Sequence, residues 1–370
     1  MAELVSIPSV SGNEHDVANY LASRLSELGF ATEKVETPGC GPTILARFDY
    51  SKLGSCLLLY GHTDTVEPTA GWRYSPFKPT IRGCRLYGLG AYDMKGGIAA
   101  ILGAAERLSM MELKGSLLIA LGSDEELYSR GCDALIRRGG LRGVDAAISA
   151  EPTELDVVEG RRGRVVYEVT VRGLSSHGAY AEEGVNAVDE AARFVSCLKR
   201  LPLGRFRGVK GSVAILSMSG GTEFLSVPDS CRMLVDRLLA PGETKEEVLR
   251  QMQKLVTDLN SKAEFRVKLM RRRTPFMEPY MLGRRSGILK TVEKAHRIVC
   301  GSKPRICVGL STSDDNYLAV RGKIPTVSIG PRGGRAHAPD EYIDLPSVVD
   351  SAKIYAVATA IYLNTETERD

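Results

Sequence analysis

Three short apolar runs constrain this chain more than any other feature: SCLLLY at 55–60, SLLIAL at 116–121, and the stretch from Ala146 to Ala150. Each fits a strand buried on both faces, the kind found in sheets that carry helices on either side. The segments around them read as helices. Residues 14–28 place apolar side chains at helical spacing, and a second helix is expected from Lys95 to Leu108, after a glycine-rich turn. Alternating apolar strands and helices predict an α/β domain with a mainly parallel central sheet.

The pattern changes after Arg164. VVYEVTV at 165–171 alternates and is expected to be half-exposed, with a helix over 185–199 and strands over 212–217 and 232–238. Pro241-Gly242-Glu243-Thr244 opens a further helix to about Leu259, and a last strand fits 264–268. The order β-α-β-β-α-β is that of a ferredoxin-like unit. An α/β pattern returns after Thr274, with a helix near 287–300 and an apolar strand near 324–329. The expected organisation is a catalytic domain in two pieces, 1–162 and 274–370, interrupted by an inserted α+β domain at 163–273. The 370 residues suit two domains.

Composition narrows the class. The chain is 43% hydrophobic and 25% charged, with a formal net charge of +4. Basic residues are spread out apart from Arg271-Arg272-Arg273 and the stretch 160–164, so nucleic acid is not an expected partner. No apolar run is long enough to cross a membrane, and no basic segment followed by a long apolar one marks a secretory leader, so a cytoplasmic location is expected. Little helical sequence precedes VSIPSVSG, which fits either a short first helix or a chain start placed late. The eight cysteines form no C-x-x-C pair and are expected to be reduced thiols, mostly filling the core. His15 and His296 are expected on helix surfaces.

Chemistry-bearing residues gather at the ends of the apolar runs. His62 follows the first in YGHTDTVEP, Glu125 and Glu126 follow the second in LGSDEEL, and Glu151 follows the third in ISAEPTE. Asp93 and His337 lie in glycine-rich segments, YGLGAYDMKGG and GGRAHAPDEY. Carboxylates and imidazoles collected at one sheet edge are costly without a cation, and two histidines with three carboxylates suit zinc or a similar ion. A pair of such ions needs a bridging carboxylate. Asp64 stands two positions after His62, which on an extended segment puts both side chains on one side, so that Asp64 would orient His62. Dinucleotide binding at Gly88-Leu89-Gly90 fails because the third glycine of that fingerprint falls on Asp93, and neither a P-loop nor a G-x-S-x-G elbow occurs.

With GLSSHGAYAEEGVNAV and AHAPDEYI added, these motifs span nearly the whole chain. Together they resemble the dinuclear zinc metallopeptidase family of acetylornithine deacetylase, succinyl-diaminopimelate desuccinylase and glutamate carboxypeptidases. The resemblance implies that His62 and Glu151 hold one zinc, Glu126 and His337 the other, and that Asp93 bridges them, with cobalt a possible substitute. It implies that Glu125 is the general base and Asp64 the partner of His62. It further implies a cis peptide at Asp93-Met94. His177 would be an oxyanion donor from a lid that also forms a homodimer.

On the substrate side, Gly160-Arg161-Arg162-Gly163 resembles a G-R-R-G turn that brings an arginine to the substrate. Tyr180 and Thr312 match further substrate-contacting positions. Three positions depart from the pattern: Leu225 stands where relatives carry asparagine, Leu238 where they carry arginine (with Arg237 beside it), and Asn316 where an arginine is usual. The expected activity is hydrolysis of an amide in an N-acyl amino acid. A carboxypeptidase or dipeptidase on the same framework, and a non-catalytic binding or assembly relative, are the alternatives.

Overall fold

The computed structural model describes residues 1–365. These residues divide into two compact units. The first is built from 1–160, 281–309 and the chain from Ser313 onward; the second is 161–280 with 310–312.

The first unit is organised on a mixed sheet whose centre is parallel. Ser116–Gly122, Cys56–His62, Ala146–Ser149 and Thr326–Ser328 lie side by side in that order, all in one direction. Every residue of the first three is buried, as apolar side chains on both faces require. Antiparallel strands flank this centre. Ala31–Val35 and Thr43–Asp49 extend one side, and Val157–Arg161, which pairs antiparallel with Thr326–Ser328, begins the other. Helices His15–Glu27, Gly96–Leu108, Gly287–Cys300 and Leu345–Asn364 supply the residues that pack with these strands in one continuous core.

One glycine sets a close approach that matters later. A Cβ at Gly97 would lie 2.1 Å from the carbonyl oxygen of Ala150. The first turn of helix Gly96–Leu108 therefore sits directly against the strand end that carries Glu151. A second, small sheet joins Thr80–Arg82, Arg85–Tyr87, Tyr342–Asp344 and Gly333–Gly334, with Tyr342 opposite Tyr87.

The second unit has a four-stranded antiparallel sheet in the order Ser212–Gly220, Ser230–Leu239, Gly163–Arg172, Glu264–Leu269. With helices Ala187–Leu198 and Lys245–Asp258 this is the ferredoxin-like order. Asn186 caps the first helix by accepting from Val188 N–H and Asp189 N–H. Thr244 and Glu247 form a reciprocal capping box on the second. Gly163–Arg172 lies between two neighbours, so Val165, Val166 and Tyr167 are all buried and the strand is more enclosed than its alternation suggested.

Two further expectations need correction. His296 is buried, not on a helix surface, and its Nδ1 faces Ser302 O at 2.9 Å. The segment 160–163 is not a turn. Arg161 ends strand Val157–Arg161, and Gly163 begins the next. All eight cysteines are free thiols; Cys40, Cys56, Cys132 and Cys231 are buried, whereas Cys84 is exposed.

Candidate metal centre

Strand register explains why the acidic and imidazole groups meet. His62 stands opposite Gly122, and Tyr60 opposite Ser149, in the parallel sheet. The three chains therefore leave the sheet together at its carboxyl edge, where open α/β sheets build their sites. His62 ends the middle strand. Glu125 and Glu126 follow on one side, and Glu151 on the other. Asp93 arrives on the loop between Arg85–Tyr87 and helix Gly96–Leu108. His337 comes from the loop before Tyr342–Asp344.

Two triads result. His62, Asp93 and Glu151 each offer one ligand atom within 4.8 Å of the others, and so do Asp93, Glu126 and His337. Asp93 belongs to both. Its Oδ1 lies 3.3 Å from His62 Nε2, and its Oδ2 lies 3.4 Å from His337 Nε2. Glu126 Oε1 is 2.8 Å from His337 Nε2. Glu125 and Glu126 also form a triad with His62, but Glu125 enters neither set that shares Asp93. The Asp93-Met94 peptide is cis. His337 has φ +60°, a strained conformation for a non-glycine residue and one that occurs most often at working sites.

Asp64 is fully buried and does more than face His62. Its carboxylate accepts from Ser11 Oγ at 2.7 Å, from Glu125 N–H at 3.0 Å and from Glu126 N–H at 3.1 Å. His62 Nδ1 lies nearer the backbone oxygen of Asp64, at 3.1 Å, than its carboxylate, at 3.5 Å. So Asp64 fixes the His62 ring with its main chain and the Glu125–Glu126 segment with its side chain.

The electrostatics describe a centre short of positive charge. Burial acts to lower the His62 pKa, but the nearby carboxylates of Asp64, Asp93 and Glu125 hold it well above its ordinary value. His337, between Asp93 and Glu126, is pushed up to about 10. Burial acts to raise Asp93, yet His337 and His62 hold it below the usual carboxylate range. Burial pushes Glu125 well up, aided by Glu151 and Glu126 and opposed by His62. Glu126 is raised by burial, against His337. Four carboxylates thus crowd around two imidazoles. Nitrogen and oxygen donors in two sets joined by one carboxylate fit a pair of divalent ions.

Three supporting residues escaped the sequence reading. Glu341, 1% exposed, accepts from the backbone N–H groups of Gly90, Tyr92 and Asp93. Glu14, buried, accepts from Gly12, Gly41 and Asp124 N–H. Asp314 is buried and accepts from Tyr60 Oη, two residues before His62 on its strand. Glu341 lies inside the motif AHAPDEYI, four residues after His337, and that placement was the available signal.

The remaining expected residues belong to the second unit. Arg161 is 4% exposed and donates to Ser311 Oγ at 3.1 Å, and Arg162 Nε donates to Leu310 O at 2.5 Å. Thr312, partly buried, follows them in the same unit. His177 is exposed, with Nδ1 accepting from Ala179 N–H, and its ring centroid is 6.0 Å from that of Tyr180, which is also exposed. Arg237, beside Leu238, is buried and paired with Glu243, so it is a structural residue of this unit.

Comparisons with known proteins place the fold and the family. A succinyl-diaminopimelate desuccinylase from Wolinella succinogenes is 28% identical over 359 residues, covering 94% of each chain. The aminopeptidase PepT from Bacillus cereus shares the fold with a TM-score of 0.81 at 21% identity, over 96% of this chain and 95% of that one. A dinuclear metal-binding peptidase of the M20 family from Bacillus subtilis gives a TM-score of 0.78 at 18% identity, over 98% and 96%. The model of peptidase family M20/M25/M40 matches residues 58–360, which takes in every member of both triads. With ligand-bearing segments and family match covering the same stretch, this chain belongs to peptidase family M20/M25/M40.

Proposed function

We propose that the chain holds two zinc ions, with cobalt as a possible substitute, and hydrolyses the amide bond of an N-acyl amino acid. The observation that carries this reading is the sharing of Asp93 by two ligand triads with Glu125 beside them. His62 and Glu151 would hold one ion, Glu126 and His337 the other, and Asp93 both. The bound pair would lower the pKa of an attacking water and polarise the scissile carbonyl.

The remaining work falls to the chain's own side chains. Glu125 accepts the proton of the attacking water and returns it to the departing amine. Its place beside His62 and Glu126 lets it hold that proton between the two steps. Asp64 keeps Glu125 in place through the Glu125 N–H. His177 donates to the oxyanion that forms at the carbonyl, and it does so from the lid of a second subunit in a homodimer. Arg161, Tyr180 and Thr312 bind the substrate. The enzyme acts on small soluble molecules in the cytoplasm, and among the described residues no helix is long and apolar enough to cross a membrane.

A second reading, cleavage of short peptides, is favoured by the fold shared with an aminopeptidase at a TM-score of 0.81. One screen separates the two: N-succinyl and N-acetyl amino acids against dipeptides, with added zinc or cobalt. We expect turnover of an N-acyl amino acid that Glu125→Gln abolishes while metal content persists. Turnover of dipeptides alone would move the assignment to the peptidase reading. Binding without any turnover would instead make the chain a non-catalytic relative.

A further inference from the structure

We propose that Glu341 is the residue that positions Asp93, and that through it the two metal sites are tuned together. This inference rests on the two-metal reading above.

Asp93 sits on a loop with no regular partner strand at that point. Its place must be fixed from outside the loop. Glu341 does this with both carboxylate oxygens: Oε2 accepts from Gly90 N–H at 3.0 Å, and Oε1 accepts from Tyr92 N–H at 2.8 Å and Asp93 N–H at 2.9 Å. Its own backbone oxygen accepts from Gly88 N–H at 3.0 Å. One residue therefore receives four hydrogen bonds from the segment 88–93. Gly90 contributes through its left-handed conformation, φ +72°, which turns the chain so that its N–H and those of Tyr92 and Asp93 converge.

The arrangement follows from sheet register. Tyr342 pairs with Tyr87, so Glu341 and the start of the loop leave adjacent strands side by side. The same short segment, 337–341, carries His337, a member of the second triad. Lys95, fully buried, follows on the same segment and donates to Ile7 O at 2.7 Å. Ile7 leads into the stretch where Ser11 donates to Asp64. The main chain of the residue common to both triads is thus held by Glu341, and a loosening there reaches both sites at once.

Glutamine at 341 keeps size and shape but must aim its amide nitrogen at Gly90 N–H or at the pair from Tyr92 and Asp93. Either choice sets donor against donor. The test is cobalt(II) titration of the full-length apoprotein for wild type, Glu341→Gln and Glu341→Asp, with EPR to read the magnetic coupling of the two ions. Leu108→Ala, a core substitution, serves as a control for lost fold stability. We expect two ions in wild type, an affinity loss of about 10- to 100-fold at both steps in Glu341→Gln, and weakened coupling. Leu108→Ala should lower the unfolding temperature and leave affinities and coupling unchanged.

Wild-type affinities and coupling in Glu341→Gln would overturn the role of Glu341 and leave the two-metal reading standing. Fewer than two ions in wild type would overturn that reading and the inference with it. An equal loss of affinity in Leu108→Ala would mark the effect as general destabilisation and also overturn the inference. Should Glu341→Gln fail to fold, Glu341→Asp decides by the same measurements, because its shorter side chain cannot reach all three N–H groups.

Discussion

Replacing Asp64 by asparagine tests how the centre is held, because the substitution removes charge and one acceptor without removing volume. The carboxylate receives Ser11 Oγ and Glu126 N–H on Oδ2, and Glu125 N–H on Oδ1. Asparagine must place its NH2 at one of these two positions. Placed at Oδ1 it opposes Glu125 N–H and crowds His62 Nδ1, 3.5 Å from that oxygen. Placed at Oδ2 it opposes Glu126 N–H, while the Ser11 hydroxyl rotates to accept. The second arrangement is cheaper and leaves one buried N–H unsatisfied, at about 1–3 kcal/mol. The surviving contacts lose their charge assistance as well, so a total of about 2–5 kcal/mol is reasonable.

The loss falls unevenly. His62 keeps its 3.1 Å contact with the backbone oxygen of residue 64, which the substitution does not touch. Glu126 loses the hydrogen bond that fixes its main chain. Zinc affinity should therefore fall about 10- to 100-fold at the site made by Glu126 and His337, with the His62 site held near wild type, and kcat should fall as Glu125 shifts. Chelator-competition titration of Asp64→Asn measures both affinities, and circular dichroism checks the fold. Two unchanged affinities would refute the reasoning. An equal loss at both sites would show that the carboxylate, not the main chain, orients His62.

Gly97→Ala should destabilise the chain by about 1–3 kcal/mol in thermal unfolding, although alanine is the better helix former, because its Cβ would meet Ala150 O at 2.1 Å. An unchanged or raised unfolding temperature would show that the contact is easily relieved. Burial pushes Asp314 up to about 6, so the folded chain holds that proton more tightly than the unfolded one. Asp314 therefore stabilises the fold fully below about pH 4, and its contribution should be lost as pH rises through about 6, by on the order of 3 kcal/mol. Urea unfolding across pH 4–7 should show Asp314→Asn without that component; identical slopes in the two proteins would contradict it.

The fold was legible where one physical cause acted locally. Runs such as SCLLLY announce buried parallel strands because no polar residue interrupts them, and their ends locate His62, Glu125, Glu126 and Glu151. The antiparallel strands Ala31–Val35 and Thr43–Asp49 carry mixed side chains and are placed by their neighbours, not by their own pattern. His296 was readable after all: Ile288, Val292 and His296 fall at successive fourth positions of one helix, on its buried stripe. The residues that hold the centre were least visible. Glu14 meets Asp124 and Glu341 meets Asp93 across long stretches of sequence, and a buried carboxylate accepting backbone N–H groups leaves no periodic trace. Asp64 was found because its distance from His62 is two residues; its larger task, holding Glu125 and Glu126, is a tertiary contact.

The central claim is that one carboxylate joins two metal sites. Anomalous diffraction at the zinc edge, on crystals of the full chain grown with zinc, tests it most directly. Two peaks are expected, one among His62, Asp93 and Glu151 and one among Asp93, Glu126 and His337, with Asp93 touching both. A single peak, or ions that leave Asp93 uncoordinated, would contradict it.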